Sequence, residues 1–408
     1  MPQLSTPRFL NRSSPPHIAT LLLMTILAAM SMNILLPALP EMARYFDTDY
    51  SVMQLSVALY LAVNGVLQIA IGPLSDRYGR RPVILWGFAI FVLATLGSLY
   101  APNIEMFLFF RMSQGAIVVA MALGRAVVRD VLPADQAASQ IAYITMGTAL
   151  APMLSPTLGG VLSENFGWQA NFWLMLVLGV AFMALVWADL GETAPKSDRS
   201  ILAQFGQYPE LLTSVRFWGY AGTSALASGA FFAYLGGAPF VGSELFGLSP
   251  SELGLYFGAP GLGYFFGNFF AGRYSVRVGL NRMIVIGTLI VTLCMLLTLV
   301  IFETGNGSAF RFFAMMTGLG VGNGLLLPNA TSGMLSVRPH MAGTASGLGG
   351  ALMIGGGAAL SAWAGSMLNM ETGATPLLWL MFSVAALSVL CITIVIRREK
   401  SLPEEIRL

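Results

Sequence analysis

Arg111 and Arg311 are the two formal charges that fall well inside long apolar runs, and they stand 200 positions apart. An arginine at membrane depth costs several kcal/mol unless it is hydrated or paired. Arg111 is therefore expected to face a water-filled cavity, with Gln114, three residues on, sharing its helix face; snorkelling to the outer helix end, within about two turns, is the alternative. A planar guanidinium beside an amide can recognise polar groups on a ligand, whereas it cannot itself make or break bonds. Arg311 lies nearer the end of its run, where snorkelling or a structural pair accounts for it. Further polar or aromatic groups in apolar runs are Asn33, Tyr60, Asn64, Gln68, Tyr143, Tyr234, Asn268 and Asn323. Together they are the expected lining of a substrate cavity, a few placed polar groups on apolar walls. Asn64 and Asn268 serve equally as interhelical hydrogen-bonding groups. Tyr234 is flanked by Phe231 and Phe232 and followed by Gly236 and Gly237.

The remaining charges gather in short connections. Asp76, Arg77, Arg80 and Arg81 lie within Gly72-Pro-Leu-Ser-Asp-Arg-Tyr-Gly-Arg-Arg81, and Asp130 closes the segment Arg125-Ala-Val-Val-Arg-Asp130. Glycines there allow a tight turn, and an acid at such a junction can satisfy the free N–H groups of a helix terminus. Catalysis needs a nucleophile, an acid–base pair or a metal set. No Asp, Glu or His lies in the middle of an apolar run, and Cys294 and Cys391 are not spaced as metal ligands. An enzyme, a metal site and a cofactor are therefore not expected.

The elements that hold these groups follow from composition. The chain has 408 residues, 56% hydrophobic and 10% charged, too little charge to cover a water-soluble globule. A net charge of +2 gives no sign of a nucleic-acid partner. Runs long enough to span a bilayer lie near 18–38, 52–72, 82–100, 106–124, 139–163, 171–188, 217–235, 253–272, 283–302, 310–328, 342–368 and 377–396. The first run follows a polar segment without a small-residue cleavage site, so it is read as a retained helix. Of the 21 Lys and Arg, all but Arg44, Arg111 and Arg311 fall on the side that carries both termini. That asymmetry predicts a cytoplasmic N-terminus and C-terminus.

The polar stretch near 189–216 divides twelve spans into six and six. A shift of 200 residues aligns Gly72-Pro-Leu-Ser-Asp-Arg-Tyr-Gly79 with Gly272-Arg-Tyr-Ser-Val-Arg-Val-Gly279, and Arg111 with Arg311. An internal duplication is expected: an N-terminal six-helix bundle over 1–190, a cytoplasmic linker over 191–215 and a C-terminal bundle over 216–408.

The 72–81 segment resembles the signature loop of the major facilitator superfamily. Phe110-Arg-Met-Ser-Gln-Gly115 is similar to that family's motif in the fourth span, and Ala151-Pro-Met-Leu-Ser-Pro-Thr-Leu-Gly-Gly160 to its antiporter motif in the fifth. In the latter, Pro152 and Pro156 kink the helix, Gly159 and Gly160 permit close approach, and Ser155 stands where the family has glycine. Finer matches, including Phe232-Ala-Tyr-Leu-Gly-Gly-Ala-Pro-Phe240 and Leu326-Leu-Pro-Asn-Ala330, resemble the bicyclomycin and chloramphenicol resistance (Bcr/CflA) exporters. The resemblance implies an all-α membrane protein with the major facilitator fold, twelve spans in two pseudo-symmetric bundles, in the inner membrane of a bacterium. It implies proton-driven export of small amphipathic compounds, with bilayer, substrate and protons as partners and a monomeric chain. It also implies a gate in which Asp76 faces the start of the eleventh span near Gly343, Arg80 pairs with Asp130, and Arg77 belongs to the same loop. The alternative for these arginines is a role in topology alone.

One departure bears on coupling. The subfamily carries Asp in the first span four residues before a proline, and here Asn33 precedes Pro37. The proton then falls to a peripheral carboxylate, Glu41, Asp76 or Asp130, or the substrate itself carries the charge. A passive or potential-driven facilitator of a neutral or anionic metabolite is the alternative.

Overall fold

The computed structural model describes residues 9–132, 134–193, 211–338 and 342–400, with side chains described for only part of 134–153 and 342–346. Twelve helical passes run through it. The N-terminal six are α1 (Ile18–Tyr45), α2 (Tyr50–Tyr78), α3 (Arg80–Leu99), α4 (Ile104–Val131), α5 (Ala134–Phe166) and α6 (Gln169–Asp189). The C-terminal six are α7 (Val215–Leu245), α8 (Pro250–Tyr256 continuing as Gly258–Val278), α9 (Leu280–Glu303), α10 (Ala309–Ser336), α11 (Ala342–Met367) and α12 (Thr375–Lys400). Ten of these are apolar and long enough to cross a membrane on their own account among the described residues. The other two, α5 and α8, pack against each other across the molecule.

Helix boundaries follow local chemistry. Asn103 accepts from the Met106 N–H, Ser214 from Phe217 and Ser308 from Arg311, each capping the start of a helix. Ser249 and Glu252 form a reciprocal capping box at α8. The turns α2–α3 and α8–α9 each consist of one glycine in the left-handed region, Gly79 at φ +96° and Gly279 at φ +93°. These glycines are 200 residues apart, so the duplicated segment folds into the same connection in both bundles. Several helices outrun their hydrophobic stretches. α7 passes Pro239 and ends in a π-turn at Val241–Leu245, because helix geometry continues beyond the apolar thickness that hydropathy detects.

Large apolar side chains such as Leu93 (67% exposed), Phe109 (63%) and Val177 (62%) cover the outside, a surface suited to lipid. Inside, each bundle is tied at the same end by a buried carboxylate on its sixth helix. Asp189 accepts from the Leu10 N–H at 2.7 Å, the His17 N–H at 2.9 Å and the Thr20 hydroxyl at 2.7 Å. Glu399 accepts from Arg216 at 3.0 Å, from the Tyr220 hydroxyl at 2.9 Å and from Asn281. Burying a carboxylate is tolerable only with such full hydrogen bonding. Thr20 and Tyr220 are again 200 residues apart, on the first helix of each bundle. The linker expected at 191–215 lies largely outside the described residues.

Candidate functional site

A cavity of about 920 Å³ lies between the bundles, walled by α4, α5, α7, α8, α10 and α11. At one end it is closed by contacts that join the two bundles. Thr157 donates to the Gly254 carbonyl at 3.0 Å, and the Ser251 N–H donates to Glu164 at 3.0 Å. Tyr50 donates to the Gly236 carbonyl at 2.8 Å, Gln54 to Ser361 at 2.8 Å, and Arg44 pairs with Glu244 at 2.9 Å. The backbones of α5 and α8 touch there. A Cβ on Gly160 would stand 2.1 Å from the Pro250 oxygen, and one on Gly254 would stand 2.5 Å from the Pro156 oxygen. Pro156 lies one turn beyond Pro152, which lines the cavity. Gly159 packs inside its own bundle, against the Ile34 carbonyl.

Toward the other end the wall reaches Arg125 on α4 and Phe269 on α8. The charged loop lies at this end. Arg80 contacts Asp76 at 2.7 Å and Asp130 at 3.1 Å, and bonds Ser75. Glu192 accepts from the Arg80 N–H at 2.8 Å and the Arg81 N–H at 3.3 Å, capping α3. The Arg80 pairs lie within the N-terminal bundle, and Glu192 reaches them from the start of the linker. The surroundings of Gly343 lie outside the described residues. Arg77 rests over the Tyr78 ring at 5.5 Å. Glu41 is at the closed end, beside the Trp168 backbone.

Of the residues expected along the cavity, Asn268 and Asn323 are on its wall. Asn268 donates to the Tyr264 carbonyl at 2.8 Å, and Asn323 Oδ1 has no hydrogen-bond partner. The others lie elsewhere in this conformation. Asn33 and Asn64 are buried and donate to carbonyls one turn back, Ala29 and Tyr60, both at 2.8 Å. Tyr234 is enclosed by Phe257, Phe312 and Phe313, with ring centroids 5.2, 6.2 and 6.3 Å away.

Arg111 departs from expectation most. Its side chain is 1% exposed and does not reach the cavity wall. It donates to the Ser31 carbonyl and to Gln114 Oε1, both at 2.8 Å, and lies 4.1 Å over the Tyr60 ring. Gln114 donates on to Thr95 at 2.9 Å, and Tyr60 donates to the Ser31 hydroxyl at 3.2 Å. Protein dipoles and an aromatic face replace the water that the cavity was expected to supply. The result is a polar hub joining α1, α2, α3 and α4. Arg311, by contrast, is exposed and bonds the Asn306 carbonyl.

Sequence reasoning missed Arg125, Ser228, Tyr264 and Phe269 as wall residues. Arg125 was legible only as a charge near a helix end, although Met121, one turn earlier, shares its face.

The sequence profile of the Major Facilitator Superfamily matches residues 21–362. Multidrug resistance protein D of Escherichia coli is 32% identical over 397 residues, covering 92% of this chain and 95% of that protein. The chloramphenicol resistance protein of Pseudomonas aeruginosa is 30% identical over 348 residues, covering 82% of each. The bicyclomycin resistance protein homolog of Haemophilus influenzae is 28% identical over 384 residues, covering 91% and 94%. Among solved structures, a bacterial homolog of the human lysosomal transporter Spinster, inward-facing and occupied, superposes with a TM-score of 0.70 at 14% identity, covering 96% and 97%. The D-xylose–proton symporter gives a TM-score of 0.70 at 15% identity, covering 92% and 96%.

Proposed function

Because the chain belongs to the major facilitator superfamily, we propose that it exports small amphipathic compounds across a bacterial inner membrane by alternating access, coupled to proton antiport. The observation that carries this is a central cavity between the bundles, closed at one end by inter-bundle hydrogen bonds that the described residues do not repeat at the other. The resistance proteins among its relatives supply the substrate class and the direction. With both termini in the cytoplasm, as the loop charges predict, the seal faces outward and the cavity loads from the cytoplasm. The moving units are the bundles 1–190 and 216–408, joined by 191–215, and the chain works as a monomer.

Asp76, Arg80 and Asp130 are the latch in this reading, with Arg77 and Gly343 beside them. Here Arg80 meets both Asp76 and Asp130, the second pair being the one the resemblance implies. Asp76→Asn removes a charge worth roughly 0.3–2 kcal/mol at a helix terminus, enough to change a two-state balance severalfold. Transport into everted vesicles should fall severalfold while membrane insertion stays normal. A wild-type rate in that variant reduces the loop to a topology signal.

Glu41, Asp76 and Asp130 are the candidate proton carriers, since Asn33 cannot ionise. Coupling is tested in proteoliposomes that hold the purified chain, by following uptake of a neutral amphipathic drug with an imposed pH gradient or an imposed potential. Antiport predicts accumulation driven by the pH gradient. Equilibration without accumulation replaces it with facilitation, and accumulation of an anionic probe under a potential alone, with none of the neutral drug, replaces it with potential-driven export.

A further inference from the structure

We propose that Arg125 makes the cavity selective for amphipathic compounds that carry an acidic group. The inference deepens the export reading and rests on it. Arg125 is the one charged side chain among the described residues of the wall, which include neither Asp nor Glu. It is exposed, and no ion pair holds it among the described residues. The groups that face it electrostatically are the Tyr264 phenol on α8 and Arg129, one turn further along α4. A second cation beside it raises the positive potential at this end of the cavity.

A fixed cation on a low-dielectric wall concentrates anions and repels lipophilic cations. The guanidinium also presents a planar fork that fits a carboxylate with two parallel hydrogen bonds. Beyond Arg125 the wall turns aromatic, with Phe231, Phe232, Phe265 and Phe269.

Midway up the wall is a second, independent sign of a ligand. The Ser228 hydroxyl and Asn323 Oδ1 are on the wall and have no hydrogen-bond partner, and both residues are 4% exposed. Buried acceptors of this kind are normally satisfied. At 1.5 Å per residue, Arg125 lies about 9 Å from its helix end and Asn323 about 20 Å from its own, so they are roughly 10 Å apart in depth. A ligand that meets both has an acidic head, an apolar or aromatic body and a hydrogen-bond donor at the opposite end. Arg111 cannot play this part, because it is sealed inside the N-terminal bundle.

Three matched probes test the proposal: 4-(1-naphthyl)butanoate, its carboxamide, and the trimethylammonium compound with the same naphthyl chain. Calorimetric titration of the full chain in lipid nanodiscs, against empty nanodiscs, gives the ratio of carboxamide to carboxylate Kd. A ratio of about tenfold is expected for wild type, on the strength of a charge-assisted bidentate pair. Arg125→Gln should bring it to about onefold, and Arg125→Lys should keep more than roughly threefold, since the charge survives without the fork. The lysine variant and a gel-filtration profile separate lost selectivity from lost folding. Tightest binding of the trimethylammonium probe by wild type, or an unchanged ratio in Arg125→Gln, overturns the proposal. The export reading fails separately. Uphill transport of the carboxamide without preference for the acid removes charge selectivity and leaves export standing. Acid-selective binding without uphill transport of any probe does the reverse.

Discussion

Gly160→Val will abolish transport and hold the bundles apart at the closed end of the cavity. The added Cβ would fall 2.1 Å from the Pro250 oxygen and 2.8 Å from the carbon that bears it. Both atoms are backbone, so no rotamer change relieves the clash. The opposing helix adds its own demand at Gly254, whose Cβ would meet the Pro156 oxygen at 2.5 Å. Overpacking of this kind costs about 1–3 kcal/mol, and 1.4 kcal/mol already shifts an equilibrium tenfold. Spin labels at Phe166 and Leu255, both exposed at this end, should report longer distances than in the unsubstituted chain. Transport should fall below about a tenth of wild type. Wild-type distances with a wild-type rate would show that the helices close by another route.

Arg111→Ala should lose both transport and thermal stability, while Arg311→Ala should behave as wild type. The first removes the donor to the Ser31 carbonyl and to Gln114. A buried acceptor left without its partner costs about 1–3 kcal/mol, and four helices meet at this point. Arg111→Lys keeps the charge but not the fork that reaches both acceptors while lying over Tyr60. It should recover only a minor part of the stability. Arg311 is exposed at a helix start, where truncation leaves its carbonyl partner to water. Thermal unfolding of the purified variants, followed by tryptophan fluorescence, gives the order directly. Equal melting temperatures for Arg111→Ala and wild type would falsify the hub.

The passes and the repeat were legible because a bilayer imposes length, and because Gly72–Gly79 and Gly272–Gly279 make the same turn. The orientation of individual side chains was not. A helix apolar on every side has no periodicity that separates its lipid face from its packed face. Hence Arg111 reads in sequence as facing water, although Ser31, Tyr60 and Gln114 surround it. Gln114 was legible from its spacing on the same helix, but Ser31 and Tyr60 come from two other helices, which no spacing in one segment announces. Arg125 was hidden by the opposite error, since a cation near a helix end reads as a loop charge. Asp189 and Glu399 escaped notice because they fall at the edges of apolar runs, where acids are ordinarily hydrated.

Those two carboxylates have a mechanical consequence. Each fastens the last helix of a bundle to the first, at the end of the molecule opposite the glycine contacts. A bundle pinned in this way moves as a stiff lever, and displacement at one end appears at the other with opposite sign. Soft bundles could part at both ends together and let ions run down their gradients. Stiff ones, pivoting about the cavity, close one mouth as they open the other. On the alternating-access reading proposed above, the carboxylates guard against leak without touching the cargo.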